Sequence, residues 1–585
     1  MIAPAAPGPG HASPPGGDAV VPHAWGALVA ALAGMVVFAT SLSHGFVYDD
    51  RAIVAGDPRV HTFDLGGILT GGYWPGENIL GLWRPLTTLS FARDWALAPD
   101  NPAWFHLVNL LGHGAVCALI FLLLAMLFRP LPALLGALVF AVHPVHVEAV
   151  ANVVGRAEVL AALLFLGAAL LWLRTGEPPA ADAPPPVRRT VGHGAPRLER
   201  PARLLLVPAL YLLALLAKEG AVMLPAALVL LDAAAGRWRL RHTLSYLRRT
   251  WAAFAAQTVV LGAYLGARAA VLDGLAPTRV DPALEVTSGA TERILTALQA
   301  WPHWARLFFW PRTLLADYGP HVINPARAVT PLVAAGALIV GILLGGGLYA
   351  LARGRGRTAL ALLWVPVVGL PVTNFLVPIG VVVAERTLYL PSLALSVGVA
   401  GAVALVLRLP DRARRAGAVV FAVAVTLLAL RTVMQVPVWS SNATLFAAMV
   451  RERPDNFRAH WNIARTARGE GHVELALTEY GAAISLWPHR PGLVIEAAGY
   501  AARHGRLEYA RRLAEHATEQ WPEVVDGHRV VAAMALALAD TAAAARAVAA
   551  GLGLAPADSL LLDMRGQLEA GAPAAPPDAG TGGGR

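Results

Sequence analysis

The chain has 585 residues, 56% hydrophobic and only 15% charged, which is too long for one domain and points to an integral membrane protein. Its formal charge of +9 comes from arginine, because Lys218 is the single lysine. Gathered in a few loops, that charge reports membrane topology rather than nucleic-acid binding. The single cysteine, Cys117, lies in an apolar run and excludes disulfides and cysteine-based metal sites.

Residues 1–23 are rich in Pro, Gly and Ala and read as a disordered segment. The apolar run at 24–43 lacks the basic start of a cleaved signal and reads as a first span. A span needs ~20 apolar residues. Further candidates are 105–128, 132–150, 157–173, 203–217, 220–235, 251–271, 328–350, 358–378, 387–407 and 416–436. An outer loop covers 45–104. Residues 291–313, amphipathic and holding Trp301, Trp304 and Trp310, read as an interfacial helix in the headgroup region. The block 203–235, broken at Lys218-Glu219, reads as a hairpin whose short arms imply a cavity or a locally thin membrane.

Eleven crossings put Arg129, 174–203, 237–249, 353–357 and 408–415 on one side, where arginines are densest. The positive-inside rule makes that side cytoplasmic. The expectation is a multi-pass protein of the inner or plasma membrane, with the N-terminus cytoplasmic and the C-terminal part periplasmic or extracellular.

Pro454, Pro488, Pro522 and Pro556 then recur every 34 residues, the period of the tetratricopeptide repeat. Gly471 and Gly505 fall at inter-helix turns, and Ala476, Ala510 and Ala544 fall where the second helix packs closely. The expected fold is all-α: a polytopic membrane domain of about 11 transmembrane helices over 24–437, followed by a short tetratricopeptide α-solenoid over 438–569. Residues 570–585 read as a disordered tail.

Polar residues at the outer ends of the spans form a series. It runs through Asp49-Asp50, Arg84, His143, His146, Glu148, Arg156, Glu158, Lys218-Glu219, Asp317-Tyr318 and Glu385-Arg386. Ionisable groups beside spans are expensive and usually functional. Each also has a plain structural reading. Asp49-Asp50 can end a helix, and Arg84 before Pro85 can anchor one. His143, His146 and Glu148 have metal-like spacing, but Pro144 lies between the histidines and a structural role is favoured. Arg156 with Glu158, and Glu385 with Arg386, can be helix-bridging ion pairs. Lys218 is hardest to dismiss, because a composition that uses arginine everywhere else kept one compact ammonium.

Paired carboxylates beside several cations suit transfer from an anionic lipid donor. One carboxylate acts as general base, and Arg and Lys hold the departing phosphate. No P-loop or dinucleotide fingerprint is present, so a polyprenyl-phosphate sugar delivered within the bilayer fits better than a nucleotide sugar.

The series F-V-Y-D-D-R-A-I-V (46–54), W-R-P-L-T-T-L-S (83–90) and F-H-L-V-N-L-L-G-H (105–113) continues with H-P-V-H-V-E-A-V-A-N-V-V-G-R-A-E (143–158), A-K-E-G-A-V-M-L-P (217–225) and A-E-R-T-L-Y-L-P-S (384–392). In this order, with repeats following, it resembles the transmembrane and tetratricopeptide-repeat-containing O-mannosyltransferases, of the GT-C class with the protein O-mannosyltransferases. The resemblance implies a polyprenyl- or dolichyl-phosphate-linked sugar donor and inverting transfer, usually to a Ser or Thr hydroxyl, without a nucleotide in the site; no cofactor is expected, and no divalent metal is called for by the residues. It implies Asp49 or Asp50 as the base, with Asp50 preferred. Arg386, Arg156 and Lys218 are the candidate phosphate contacts, with Glu219 and Glu385 orienting them. Membrane lipids, the lipid-linked sugar and an acceptor protein or peptide held by the repeats are the expected partners. The Ala/Gly/Arg-rich composition looks bacterial. Two alternatives remain open: a transferase of the same class acting on a lipid or polysaccharide, and a non-catalytic membrane-anchored scaffold. A transporter fits less well, because the charges cluster at one edge of the membrane.

Overall fold

The computed structural model describes residues 23–76, 81–175, 200–272, 274, 280–320 and 322–570, and every regular element among them is a helix. The calls on 1–22 and 571–585 lie outside the described residues.

The principal helices are α1 (His23–Phe38), α2 (Pro85–Leu97), α3 (Pro102–Ala125), α4 (Pro130–Val142), α5 (Arg156–Thr175), α6 (Arg200–Ala217), α7 (Leu224–Ala234) and α8 (Thr243–Leu272). After them come α9 (Ala290–Leu298), α10 (Ala300–Phe309), α11 (Pro331–Ala352), α12 (Gly356–Val368), α13 (Leu393–Val406) and α14 (Asp411–Gln435). Proline opens α2, α3, α4 and α11, where its missing N–H costs nothing.

Six helices are long and apolar enough to cross a membrane: α1, α3, α5, α8, α11 and α14, several with a short helical extension. A seventh candidate is α4 with the following Pro144–Ala151 segment, bent by 49°. The other four expected spans fold as the shorter helices α6, α7, α12 and α13. Their shortness has one physical source. Each begins or ends beside a 3₁₀ segment (Glu219–Met223, Leu370–Val372 or Glu385–Leu388), two of which carry charged residues. Non-helical backbone at membrane depth is tolerated only where it is buried in protein or lines a cavity. Here it does both.

The expected interfacial helix is two helices, α9 and α10, rather than one. Trp301 and Trp304 are buried in the main core, and only Trp310 is exposed. Two of the three tryptophans are therefore packing residues, not headgroup anchors.

The core is built on close helix pairs: α1 with α3, α5 with α6, α4 with α13, and α7 with α12. Small residues set the approach. A Cβ at Gly136 on α4 would lie 2.5 Å from the Ser396 carbonyl oxygen on α13. Beyond α14, helices α15 (Asn442–Glu452), α16 (Phe457–Gly469), α17 (Val473–Leu486), α18 (Pro491–Arg503), α19 (Leu507–Gln520), α20 (Val525–Ala537), α21 (Thr541–Leu554) and α22 (Ser559–Glu569) pack in succession. Ala476, Ala510 and Ala544 are fully buried, and Gly471 and Gly505 take positive φ (79° and 74°) at the turns.

Gly136→Ala is expected to lower stability by about 1–3 kcal/mol, because backbone must move to admit the methyl. Gly167→Ala, whose Cβ would meet its nearest neighbour at 4.0 Å, should leave thermal unfolding in detergent unchanged.

Candidate functional site

The 3₁₀ segments and the loop at 45–54 converge on a cavity of about 560 Å³ whose wall is mostly apolar. Its charged lining comes from distant parts of the chain: Asp49, Arg84, Glu158, Lys218, Glu219, Arg268 and Arg386. The polar residues expected at one face therefore do meet, but not all of them, and not in the expected pairs.

Tyr48 sets the acidic pair. Its φ of 56° lies in the left-handed region, unusual for a residue with a side chain, and its N–H donates to Asn442 Oδ1 at 2.8 Å. Past this turn the two aspartates part. Asp50 is fully buried and accepts from the backbone N–H groups of Val154 (2.8 Å), Val47 (3.1 Å) and Val153 (3.3 Å). Burial raises its pKa to about 7 against the pull of those donors. Its oxygens are nonetheless spent on the backbone, and geometry comes before pKa in choosing a base. Asp49 is only half-buried and lines the cavity, and no hydrogen-bond partner meets its carboxylate among the described residues. Burial raises its pKa to about 6, against the opposing pull of Arg386. Of the two, Asp49 is the carboxylate that lines the cavity, whereas Asp50 is held by the backbone.

Three cations on the wall are held by carboxylates from elsewhere in the fold. Arg84 forms a two-pronged bond with Glu219 (2.9 and 2.6 Å) and lies 4.9 Å from the centre of the Tyr73 ring. Burial opposes ionisation of Glu219, but Arg84 and Lys218 hold its pKa well below the usual carboxylate range. Lys218 pairs with Glu158 on α5. Arg386 pairs with Glu148, which also accepts the Arg386 N–H at 2.8 Å. Glu148 is thus the residue that orients Arg386. The expected orienter, Glu385, is buried away from the cavity and accepts from Leu315 N–H and Tyr318 O–H, both at 2.6 Å. Burial, with Glu148 nearby, raises the pKa of Glu385 to about 8.

Arg156 does not reach the cavity. It is buried between the rings of Phe91 and Phe105, pairs with Asp94, and donates to Asn109 Oδ1 (2.8 Å) and the Phe105 carbonyl (2.9 Å). Its guanidinium is spent on packing α5 against α2 and α3. His143 and His146 are also buried and structural. His143 meets the Phe308 carbonyl at 3.0 Å and Val145 N–H at 3.2 Å, and His146 meets Ser392 Oγ at 2.8 Å. Among the described residues no group of three His, Cys, Asp or Glu side chains could hold a metal ion.

Tyr73 and Arg268 are wall residues that sequence reading missed. Arg268 lies near the end of α8, donates to the Gly81 carbonyl at 2.6 Å, and keeps a buried Nε without a partner. No carboxylate pairs with it among the described residues. Its signal was present, an arginine inside the apolar run 251–271. Tyr73 sits in a loop with no pattern to flag it.

No family model matches the chain. Among curated proteins it is similar to protein O-mannosyl-transferase TMTC4 of Homo sapiens, 26% identical over 79% of this chain and 66% of that one. It is 28% identical to protein O-mannosyl-transferase TMTC1 of Homo sapiens over 81% of this chain and 56% of the relative. Protein O-mannosyl-transferase TMTC3 of Mus musculus is 26% identical over 85% and 55%, respectively. These are the proteins that the motif series resembles. The chain spans about half to two thirds of the length of the curated relatives it matches.

Arg156→Ala should strand Asp94 as a bare buried charge and cost about 3–5 kcal/mol. Thermal melting should register that loss, whereas binding of a cavity ligand to the fraction still folded should be unchanged.

Proposed function

We propose that the cavity transfers a sugar, mannose in the simplest case, from a polyprenyl-phosphate donor to a Ser or Thr hydroxyl of an acceptor protein. The observation that carries this reading is the composition of the lining: Asp49, a carboxylate with no partner among the described residues, shares a largely apolar cavity with several cations. An apolar wall with a few convergent charges suits a lipid chain ending in phosphate. Leu376 and Val377, which line the cavity, are also exposed at 69% and 48% and offer an apolar entrance from the bilayer. The relatives, named protein O-mannosyl-transferases, agree with mannosyl transfer to protein.

In this mechanism Asp49 accepts the proton of the acceptor hydroxyl as its oxygen attacks the anomeric carbon. The bond from that carbon to the phosphate oxygen breaks on the opposite face, so the configuration inverts. The electron pair leaves with the polyprenyl phosphate. Arg268 takes the developing charge, supported by Lys218, Arg386 and Arg84, which their carboxylate partners hold in place. The donor arrives already activated, so the reaction needs no nucleotide or metal cofactor.

The remaining topology belongs to the same proposal. The chain crosses the membrane eleven times over 24–437, the short helices α6, α7, α12 and α13 being completed by the segments that floor the cavity. The cavity opens on the non-cytoplasmic side, and 438–569 act as tetratricopeptide repeats that present the acceptor. Contacts between α15–α16 and the site loops support that role. Asn442 holds Tyr48, Phe446 meets the Tyr48 ring edge-on at 5.8 Å, and Arg458 pairs with Asp317 at 2.5 Å. An acceptor held by the helices would lie beside Asp49.

Asp49→Asn is expected to lower transfer from purified polyprenyl-phosphate mannose at least ~100-fold with donor binding retained. Wild-type turnover in that variant would remove Asp49 from the mechanism. Because the base must be deprotonated, kcat/KM should fall as pH drops through about 6, and Asp49→Asn should lose that limb. Arg268→Ala should weaken donor affinity about 10–100-fold, the size of a charge-assisted hydrogen bond, as measured by titration with the lipid-linked sugar.

A further inference from the structure

A second, smaller cavity of about 250 Å³ lies where α7 ends and α12 begins. Trp238, Arg239, Arg355, Arg357 and Thr358 line it, together with Leu351 at the end of α11. Its charge differs from that of the large cavity. Its lining holds three arginines, Arg239, Arg355 and Arg357, and no acidic side chain among the described residues. The first turn of α12 adds backbone N–H groups that have no intrahelical partner, and no side chain caps them. A concave site with three guanidinium groups and a helix start on its wall selects an anion.

The surroundings say what carries the anion. Leu344, Leu348 and Leu351 share one face of α11 at i, i+4 and i+7, and Leu344 and Leu348 are exposed. This apolar stripe runs along a membrane-capable helix and ends at the pocket wall. A tryptophan at the mouth, with its Nε1–H on Thr243 Oγ1 at 3.3 Å, suits the boundary between headgroups and acyl chains. A free anion would have no use for the stripe, whereas a phospholipid would lay its chains along it. Arg357 is fixed in place, donating to the Leu127 carbonyl at 3.1 Å with its guanidinium 5.4 Å from the Phe128 ring centre. The guanidinium is therefore already ordered before a ligand arrives.

Helices α7 and α12 connect this pocket to the large cavity. Ala233 and Ala234 line the small pocket, whereas Met223, ten residues earlier, lines the large one. At 1.5 Å per residue the two are about 15 Å apart, half of a hydrocarbon core of roughly 30 Å. The small pocket is therefore a separate site, about three helical turns along α7 from the large cavity.

We propose that this pocket binds the phosphodiester headgroup of an anionic phospholipid, at a site separate from the large cavity and independent of the transfer reaction. Basic pockets between membrane helices are suited to such headgroups. The test uses the full chain purified in detergent and titrated with phosphatidylglycerol, with phosphatidylcholine and with inorganic phosphate, read by native mass spectrometry and thermal shift. Phosphatidylglycerol should be retained and should raise the melting temperature, and the other two should do neither. Arg355→Glu, a reversal at an exposed side chain, should weaken phosphatidylglycerol binding at least tenfold while leaving the lipid-free melting temperature unchanged. Arg239→Ala should weaken it in the same direction. Equal retention of phosphatidylglycerol by Arg355→Glu and wild type would overturn the site. A shift with inorganic phosphate as large as that with phosphatidylglycerol would overturn its assignment to a lipid.

Discussion

A charge cannot stand bare at membrane depth, and this constraint organises the protein around its large cavity. Each of three wall cations is met by a carboxylate from another element: Arg84 by Glu219, Lys218 by Glu158, and Arg386 by Glu148. Their partners come from up to 238 residues away, so the pairs fasten the loops to the helices. Removing either member leaves the other buried without compensation, which is why such pairs hold geometry more than they add stability. Against this background, Asp49 and Arg268 line the cavity without an ionic partner among the described residues.

The same constraint explains the broken helices. Continuous spans would satisfy every backbone group but would leave no room for polar side chains between them. Instead α6, α7, α12 and α13 stop short, and 3₁₀ turns bring Lys218, Glu219 and Arg386 to the cavity. The cost in backbone hydrogen bonding is offset by side chains such as Thr87, whose hydroxyl donates to the Ala217 carbonyl at 2.9 Å. The protein therefore gives up regular spans to build a polar floor inside an apolar bundle.

The loop bearing Asp49 is shaped from both sides. Backbone donors from 153–154 pull Asp50 inward, and Asn442 from the C-terminal helices holds Tyr48 in a left-handed turn. Adjacent aspartates thereby acquire different duties, one fixing the loop and one facing the ligand space. The loop at 45–54 and the first helix after α14 meet at this point, beside the carboxylate that lines the cavity.

The sequence by itself determined the helical class, the membrane-capable runs, the resemblance to O-mannosyltransferases and the set of polar residues from which the site is drawn. These properties depend on hydrophobic runs, loop charge and residue identity, which are local and additive along the chain. Pairing was not local, and only the tertiary structure decided it. It separated Asp49 from Asp50, withdrew Arg156, Glu385 and the histidines into the core, and brought Arg268 and Tyr73 to the wall. Neighbours in sequence had been read as partners, Arg156 with Glu158 and Glu385 with Arg386. In the fold each of these four groups bonds to a residue far away in the chain, because consecutive residues at a helix start point in different directions and each takes the partner it faces.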